Sequence, residues 1–367
     1  MWTPGRQLEA RLNALAGNEA GPIPGLGEQR PQSGGVGLVQ RSLKAIAARS
    51  LGSSTSVLVA DVVAIVVMTL AAPGFSSFDN LQALALSVSV SAIVGFSQMV
   101  VIGAGGLNLS VGAVGGLVAM ATGGLMVSYG TPPALAMAIG LGIGLGCGAL
   151  NGILIARTGI SPFIVTLATS SIFTGINLGV TEVHPYYNLP ADFTSIAGAS
   201  VAGIPVLTVI MLAIAAALAV FFRSVGLGRQ ILAYGASPRA AELAGVPPAQ
   251  TIIAAYAMSG LLGAVAAVLV IARLGSAQPL IGSDWLLSSF AAPIIGGTLL
   301  AGGSVSVIGA LGGSVLLAVI ASAMVFASVD PYWTTLVSGG IILAAVVVDR
   351  LRTAREGAAE LAERRKR

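Results

Sequence analysis

The chain has 367 residues, of which 55% are hydrophobic and 9% charged, with a formal net charge of +4. A soluble domain carries roughly 25% charged residues, so this composition excludes an ordinary soluble globular protein. Residues 81–156 contain no Asp, Glu, Lys or Arg, and a run of about 20 apolar residues crosses a bilayer as one helix. The pattern predicts an all-α polytopic membrane protein. The basic excess makes no case for nucleic acid, because Lys and Arg gather where apolar segments end and there set orientation.

Residues 1–53 are rich in Gly, Pro, Arg and Ser and have no apolar run long enough for a signal-peptide core. They read as a disordered cytoplasmic N-terminal tail, with a weakly amphipathic surface helix near 39–48 as the alternative. A transmembrane domain over 54–349 follows. Its apolar segments number ten, at 54–72, 81–103, 109–129, 133–156, 160–180, 205–222, 250–272, 286–300, 305–328 and 332–348. The second and third are joined by Gly103-Ala104-Gly105-Gly106-Leu107-Asn108. That stretch reads either as a break at membrane depth, tolerated only where protein or a cavity surrounds it, or as an exit to water.

About ten transmembrane helices with both termini cytoplasmic place Arg157, Arg223, Arg229, Arg239 and the basic tail 350–367 inside. Of the 18 Lys and Arg, only Arg273 then falls outside, as the positive-inside rule asks. The longest outer loop is 181–204, with the single histidine, His184. The longest inner loop is 223–250.

That inner loop holds a polar island with its own start and stop signals. Ser237 is placed to cap a helix and Pro238 to open it. Gly245 sits where a helix ends, with Pro247 and Pro248 beyond. Between them lie Arg239, Ala240, Ala241 and Glu242. A short capped helix between two spans has the size of a knob that a soluble partner grips. The small Ala240 and Ala241 would let that partner come close. Arg229, Arg239 and Glu242 serve equally well as partner contacts or as lipid-headgroup and topology residues.

Other chemistry is missing. A P-loop needs a lysine after glycine, and the two lysines, Lys44 and Lys366, lie in the terminal tails. One His and one Cys, Cys147, make no metal cluster. No catalytic residue is assigned. Ion-coupled carriers bury carboxylates in their spans, and here the single clear case is Asp61. A stand-alone secondary carrier or facilitator is therefore the alternative reading, not the leading one. The stretch from Ser110 to Gly116 also echoes that from Ser306 to Gly313, with one insertion, as an internal repeat or as ordinary small-residue packing would.

Four stretches carry a resemblance to a known family: Gly106-Leu107-Asn108-Leu109-Ser110-Val111-Gly112; Gly226-Leu227-Gly228-Arg229-Gln230-Ile231 leading on to Gly245-Val246; Ala272-Arg273-Leu274-Gly275-Ser276-Ala277-Gln278-Pro279; and Ile295-Gly296-Gly297-Thr298 through Gly303. The chain resembles the permease subunits of the ribose, xylose, galactose and autoinducer-2 class of bacterial ABC importers, over about residues 69–349. The resemblance implies a multi-pass protein of the bacterial inner membrane that moves a monosaccharide or sugar-like solute by alternating access. It implies a second permease subunit, identical or a close paralogue, a cytoplasmic ATP-binding-cassette ATPase, a periplasmic substrate-binding protein and surrounding lipid. ATP and Mg would sit on the partner ATPase, leaving this chain without a cofactor or metal. The loop 223–250 would be the ATPase-coupling region.

One motif departs from the family. Its aspartate is Asn108 here, neutral and able both to donate and to accept. Either a cation pair is lost, or the residue caps the next helix, which Asn does equally well. Gln98, Asn108, Ser110, Thr166, Asn177 and Gln278 are uncharged hydrogen-bonding groups suited to a sugar path, although most such groups in membranes bond a neighbouring helix. Arg273 reads as a rim contact that steers receptor docking, or as a snorkelling arginine paired with Asp284.

Overall fold

A computed structural model describes residues 55–329 and a few positions between 333 and 343. The two tails and most of the tenth expected segment lie outside the described residues. Helices dominate, in the order α1 (Thr55–Ala71), α2 (Phe78–Gly103), α3 (Val111–Ser128), α4 (Pro133–Thr158), α5 (Pro162–Thr181), α6 (Ala191–Gly198), α7 (Val206–Ser224), α8 (Gly226–Ala236), α9 (Pro238–Leu243), α10 (Pro248–Leu274), α11 (Trp285–Ile295) and α12 (Val307–Phe326). Among the described residues, seven helices (α2–α5, α7, α10 and α12) are long and apolar enough to cross a membrane.

Nine of the ten expected segments coincide with a helix, and one of them differs in extent. The segment expected at 286–300 is helical only as far as Ile295. At 1.5 Å per residue, eleven residues reach about 16 Å, roughly half of a bilayer core. Pro293 lies within α11, and Gly296-Gly297 ends it. An irregular stretch then runs to Ser306. The all-α expectation needs one small amendment. Ser200–Val201 pairs antiparallel with Ile204–Pro205, through Ala202 and Gly203, both at positive φ, as a tight hairpin requires.

α10 is the central post. Ala255, Tyr256, Ser259, Gly260, Ala264 and Ala267 are buried along it. It packs on α2, α3 and, most extensively, α4. α4 presents Gly140, Gly144, Gly148 and Gly152 at four-residue intervals. A Cβ at Gly148 would overlap the Tyr256 carbonyl, and one at Gly144 the Ala264 side chain. Apolar surface gives little drive for association in lipid, so this backbone-to-backbone approach supplies the packing.

Two places anchor the long connections after α5 and α10. α6, within the loop 181–204, buries Phe193 completely. Tyr186 and Ala277 exchange backbone hydrogen bonds of 2.9 and 2.8 Å, which ties this loop to the segment after α10. The two echoing stretches occupy matching positions. Ser110 and Ser306 each begin a helix after a glycine-rich break. Gly112 and Gly309 lie against the backbone of Gly282 and Gly296.

Candidate functional site

Two regions hold the residues singled out in the sequence: a knob between α7 and α10, and a buried polar core around the break between α2 and α3.

The knob is α9. The Ser237 hydroxyl accepts from the Ala240 N–H at 3.4 Å, and Pro238 opens the helix. At the other end Gly245 N–H donates to Glu242 C=O at 2.9 Å and Val246 N–H to Ala241 C=O at 3.0 Å. This pair of bonds is a Schellman ending. It needs a left-handed residue, and Gly245 supplies φ +82°. Nothing lies within 4 Å of where its Cβ would stand, so glycine is required there by backbone conformation and not by crowding. Arg229, Arg239, Ala240 and Glu242 are exposed, whereas Ala241 is buried. Ala241 therefore seats the knob on its own chain and is not turned outward as Ala240 is. Leu243 stands 85% exposed at the tip. The sequence reading passed over it, although it is the one large apolar side chain between Pro238 and Gly245. Burial, and then the Glu242 carboxylate, push the Tyr234 phenol above its ordinary value, so it remains a neutral hydroxyl beside the knob.

The break from Gly103 to Ser110 is mostly buried. Buried backbone must find partners, and side chains supply them. The Tyr256 hydroxyl donates to the Leu107 carbonyl at 3.0 Å. The Gln98 amide, with its oxygen toward the Asn108 N–H and its nitrogen toward the Asn108 C=O, meets both at 3.2 and 2.9 Å. The Asn108 side-chain oxygen accepts from the Ser110 N–H at 3.0 Å and from its hydroxyl at 2.7 Å, a turn that starts α3. Its nitrogen donates to the Ser259 hydroxyl at 2.9 Å. Ser259 bonds Ser97 at 3.0 Å, and Asn151 donates to the Ser110 hydroxyl at 2.8 Å. One neutral network thus joins α2, α3, α4 and α10 at the break. Every partner found for the Asn108 side chain among the described residues is uncharged, and Asn108 is not itself the cap of α3: Ser110 holds the N-cap position, and Asn108 supports the turn just before it.

The six polar residues considered for a translocation path separate in space. Gln98, Asn108 and Ser110 belong to this network. Thr166 bonds the Pro162 carbonyl at 2.7 Å, and Asn177 bonds the Pro279 carbonyl at 2.9 Å. Gln278 is exposed. Ser97, Asn151, Tyr256 and Ser259 complete the core, and no local pattern marks them. Asp61 is buried where α1 meets Gly312 of α12.

Knob and core are in direct contact through α8. A Cβ on Gly235 would overlap the Gly103 carbonyl, with Gly303 N also close. Gly303 N–H donates to that same carbonyl at 3.0 Å. The breaks after α2 and after α11 therefore meet each other and the last turn of α8.

At the opposite end of α10, an open cleft of about 320 Å³ lies between α2, α10 and α11. Arg273 and Asp284 both line it but do not pair. Arg273 donates instead to the Ser87 hydroxyl at 3.4 Å.

Residues 80–346 match the family described as branched-chain amino acid transport system / permease component. The chain belongs to that family. Among its relatives, the D-allose transport system permease protein AlsC of Escherichia coli K12 is 35% identical over 64% of this permease and 72% of its own length. The ribose import permease protein RbsC of Bacillus subtilis is 32% identical over 79% and 90%. The autoinducer 2 import system permease protein LsrD of E. coli K12 is 33% identical over 63% and 72%. No solved structure matches significantly. The permease is thus a multi-pass inner-membrane protein of the kind its four motifs resemble.

Proposed function

We propose that this permease is the membrane half of an ABC importer for a monosaccharide or sugar-like solute, working by alternating access in the bacterial inner membrane. The relatives' names favour sugars over the amino acids of the family description, because three of them import D-allose, ribose and autoinducer 2. The transmembrane domain spans 54–349 with ten crossings. Both tails, 1–53 and 350–367, are cytoplasmic, as is the loop 223–250, and the loop 181–204 is periplasmic. Two permease subunits form the pathway. The chain hydrolyses no ATP; a cytoplasmic ATPase carrying ATP and Mg docks on the knob. A periplasmic binding protein delivers the solute to the outer face, where Arg273 is a rim contact.

The observation that carries this reading is the contact of α8 with both broken spans. A push on α9 is handed to α8, and through Gly235 to the loops after α2 and α11, without a flexible intermediate. Ser237, Pro238 and Gly245 hold the knob's shape, while Arg229, Arg239, Ala240 and Glu242 face the partner. Gln98, Asn108, Ser110 and Asn177 act mainly by holding the helices that move, Thr166 bonds its own helix, and Gln278 is exposed on the outer side.

Gly245→Val tests it. The substitution forces a left-handed β-branched residue, a local strain of about 1 kcal/mol or more. Normal membrane levels with lost ATPase co-purification and lost sugar uptake are expected. Full retention of both would remove the knob from the coupling path. Orientation has its own check in a Cys147-free background. A cysteine replacing Asn188 reacts with an impermeant thiol reagent in spheroplasts and one replacing Ala236 does not; the reverse pattern overturns the topology.

A further inference from the structure

The cleft at the far end of α10 gathers more polar groups than the rim contact of Arg273 and its bond to Ser87 account for. Its volume, about 320 Å³, is at the small end of the range for ligand pockets, about 300–1,000 Å³. Ser87 and Ser91 come from α2, Arg273 from α10, and Trp285 and Ser288 from α11, with Asp284 just before it. Arg273 and Asp284 are exposed and share the cleft without an ion pair, so each keeps hydrogen-bonding capacity for a guest. Three hydroxyls accompany them: Ser288 donates to the Trp285 carbonyl at 3.2 Å and keeps its lone pairs for a guest, Ser87 accepts from Arg273 and keeps its proton, and Ser91 offers both. A guanidinium fork, a carboxylate and several hydroxyls around a partly apolar wall are what a small polyol engages. The wall includes Trp285, which is buried with its ring against Gly115 and so is fixed in place.

We infer that this cleft is an entry subsite in the permease itself, which takes a monosaccharide-sized polyol through Arg273, Asp284 and the hydroxyls of Ser87, Ser91 and Ser288. The inference rests on the sugar reading above and extends it. The permease is not a featureless channel behind a selective receptor but holds the sugar briefly on its outer side. A zwitterionic amino acid would also find a cation and an anion here. The three neutral hydroxyls favour the polyol.

The test uses the full chain in lipid nanodiscs, with Trp2 and Trp333 replaced by Phe so that Trp285 is the single fluorophore of the three tryptophans. D-Allose, D-ribose and L-leucine are titrated separately. A saturable change in Trp285 emission with at least one sugar and not with leucine is expected. Arg273→Gln with Asp284→Asn should weaken it about tenfold or more, the scale of losing hydrogen bonds to charged groups. Ser91→Ala with Ser288→Ala should weaken it less. Because all four positions are partly or fully solvent-accessible and none of the changes adds bulk, membrane levels should stay normal. Saturable binding of leucine alone, no saturable response to either sugar, or sugar binding unchanged in the charge double variant would each overturn the subsite. Sugar uptake by cells carrying the permease with its ATPase and receptor separates the two readings. Wild-type uptake together with any of those three results defeats the cleft alone. Absence of wild-type uptake of either sugar defeats the sugar reading and the subsite with it.

Discussion

The knob and the polar core solve opposite problems. α9 is six residues long, mostly exposed, and held by bonds between residues three to five positions apart. The core is buried and held by bonds across large sequence separations: Ser97 to Ser259 spans 162 positions and Asn108 to Ser259 spans 151. An element built from local bonds keeps its shape when its surroundings shift, so it can be pushed as a unit. An element built from distant bonds changes only when whole helices move. Placing the first against the second through Gly235 joins a rigid handle to a jointed interior.

Gly235→Val should break that junction and have the largest effect. Its side chain would meet the Gly103 carbonyl and Gly303 N, both backbone atoms that cannot turn aside. Overpacking of this kind costs about 3 kcal/mol or more where relaxation is blocked. The expected outcome is loss of folded protein, measured as a drop in monodisperse material on size-exclusion chromatography in mild detergent. Normal yield with normal uptake would mean that α8 and the breaks separate freely, and the comparison between handle and interior would lose its joint.

Asn108→Leu sharpens the other side. The substitution leaves the Ser110 N–H without its acceptor, withdraws a donor from Ser259 and keeps the side-chain volume similar. Interhelical hydrogen bonds in membranes are worth about 0.6–2 kcal/mol each, so a loss of about 2 kcal/mol is expected. It should appear as a lower thermal midpoint in detergent. An unchanged midpoint would show that the network is incidental to packing.

The contrast between these regions also explains what could be read from the chain alone. Ser237, Pro238 and Gly245 announce α9 because caps act over a few residues and are written in residue type. The spans are legible for a similar reason: hydrophobicity is summed along one helix. The break after Gly103 is visible as a glycine run, but the burial of most of it under Gln98 and Tyr256 is not. Nothing local distinguishes Ser259 or Asn151 from any other small polar residue in a span. α11 misled for a different reason. The residues after Ile295 are apolar enough to belong to a span, yet glycines at 296, 297, 302 and 303 let the backbone leave the helix and meet Gly103. Ala241 points inward and Leu243 outward because a helix of under two turns is oriented by what it packs on, which a sequence pattern of this length does not contain.

Leu243→Ala has the smallest expected effect on the chain and the most specific one on its partner. At 85% exposure the side chain contributes little to folding, so stability should change by less than about 0.5 kcal/mol. A leucine newly buried at an interface contributes about 1.5–3 kcal/mol, and anchors of this kind sit at the centre of contact surfaces ringed by polar groups. Arg239 and Glu242 provide such a ring here. Affinity for the ATPase should therefore fall about tenfold to a hundredfold, measured by titrating the ATPase onto nanodisc-held permease, with insertion and thermal midpoint unchanged. Because Gly245→Val disturbs the shape of the knob and Leu243→Ala only its tip, the pair separates shape from contact. If the alanine variant binds the ATPase as tightly as the wild type, Leu243 rests in the lipid interface and the docking energy comes from Arg229, Arg239 and Glu242 instead. Raising the ionic strength would then weaken docking strongly, whereas a leucine-centred contact is nearly indifferent to salt.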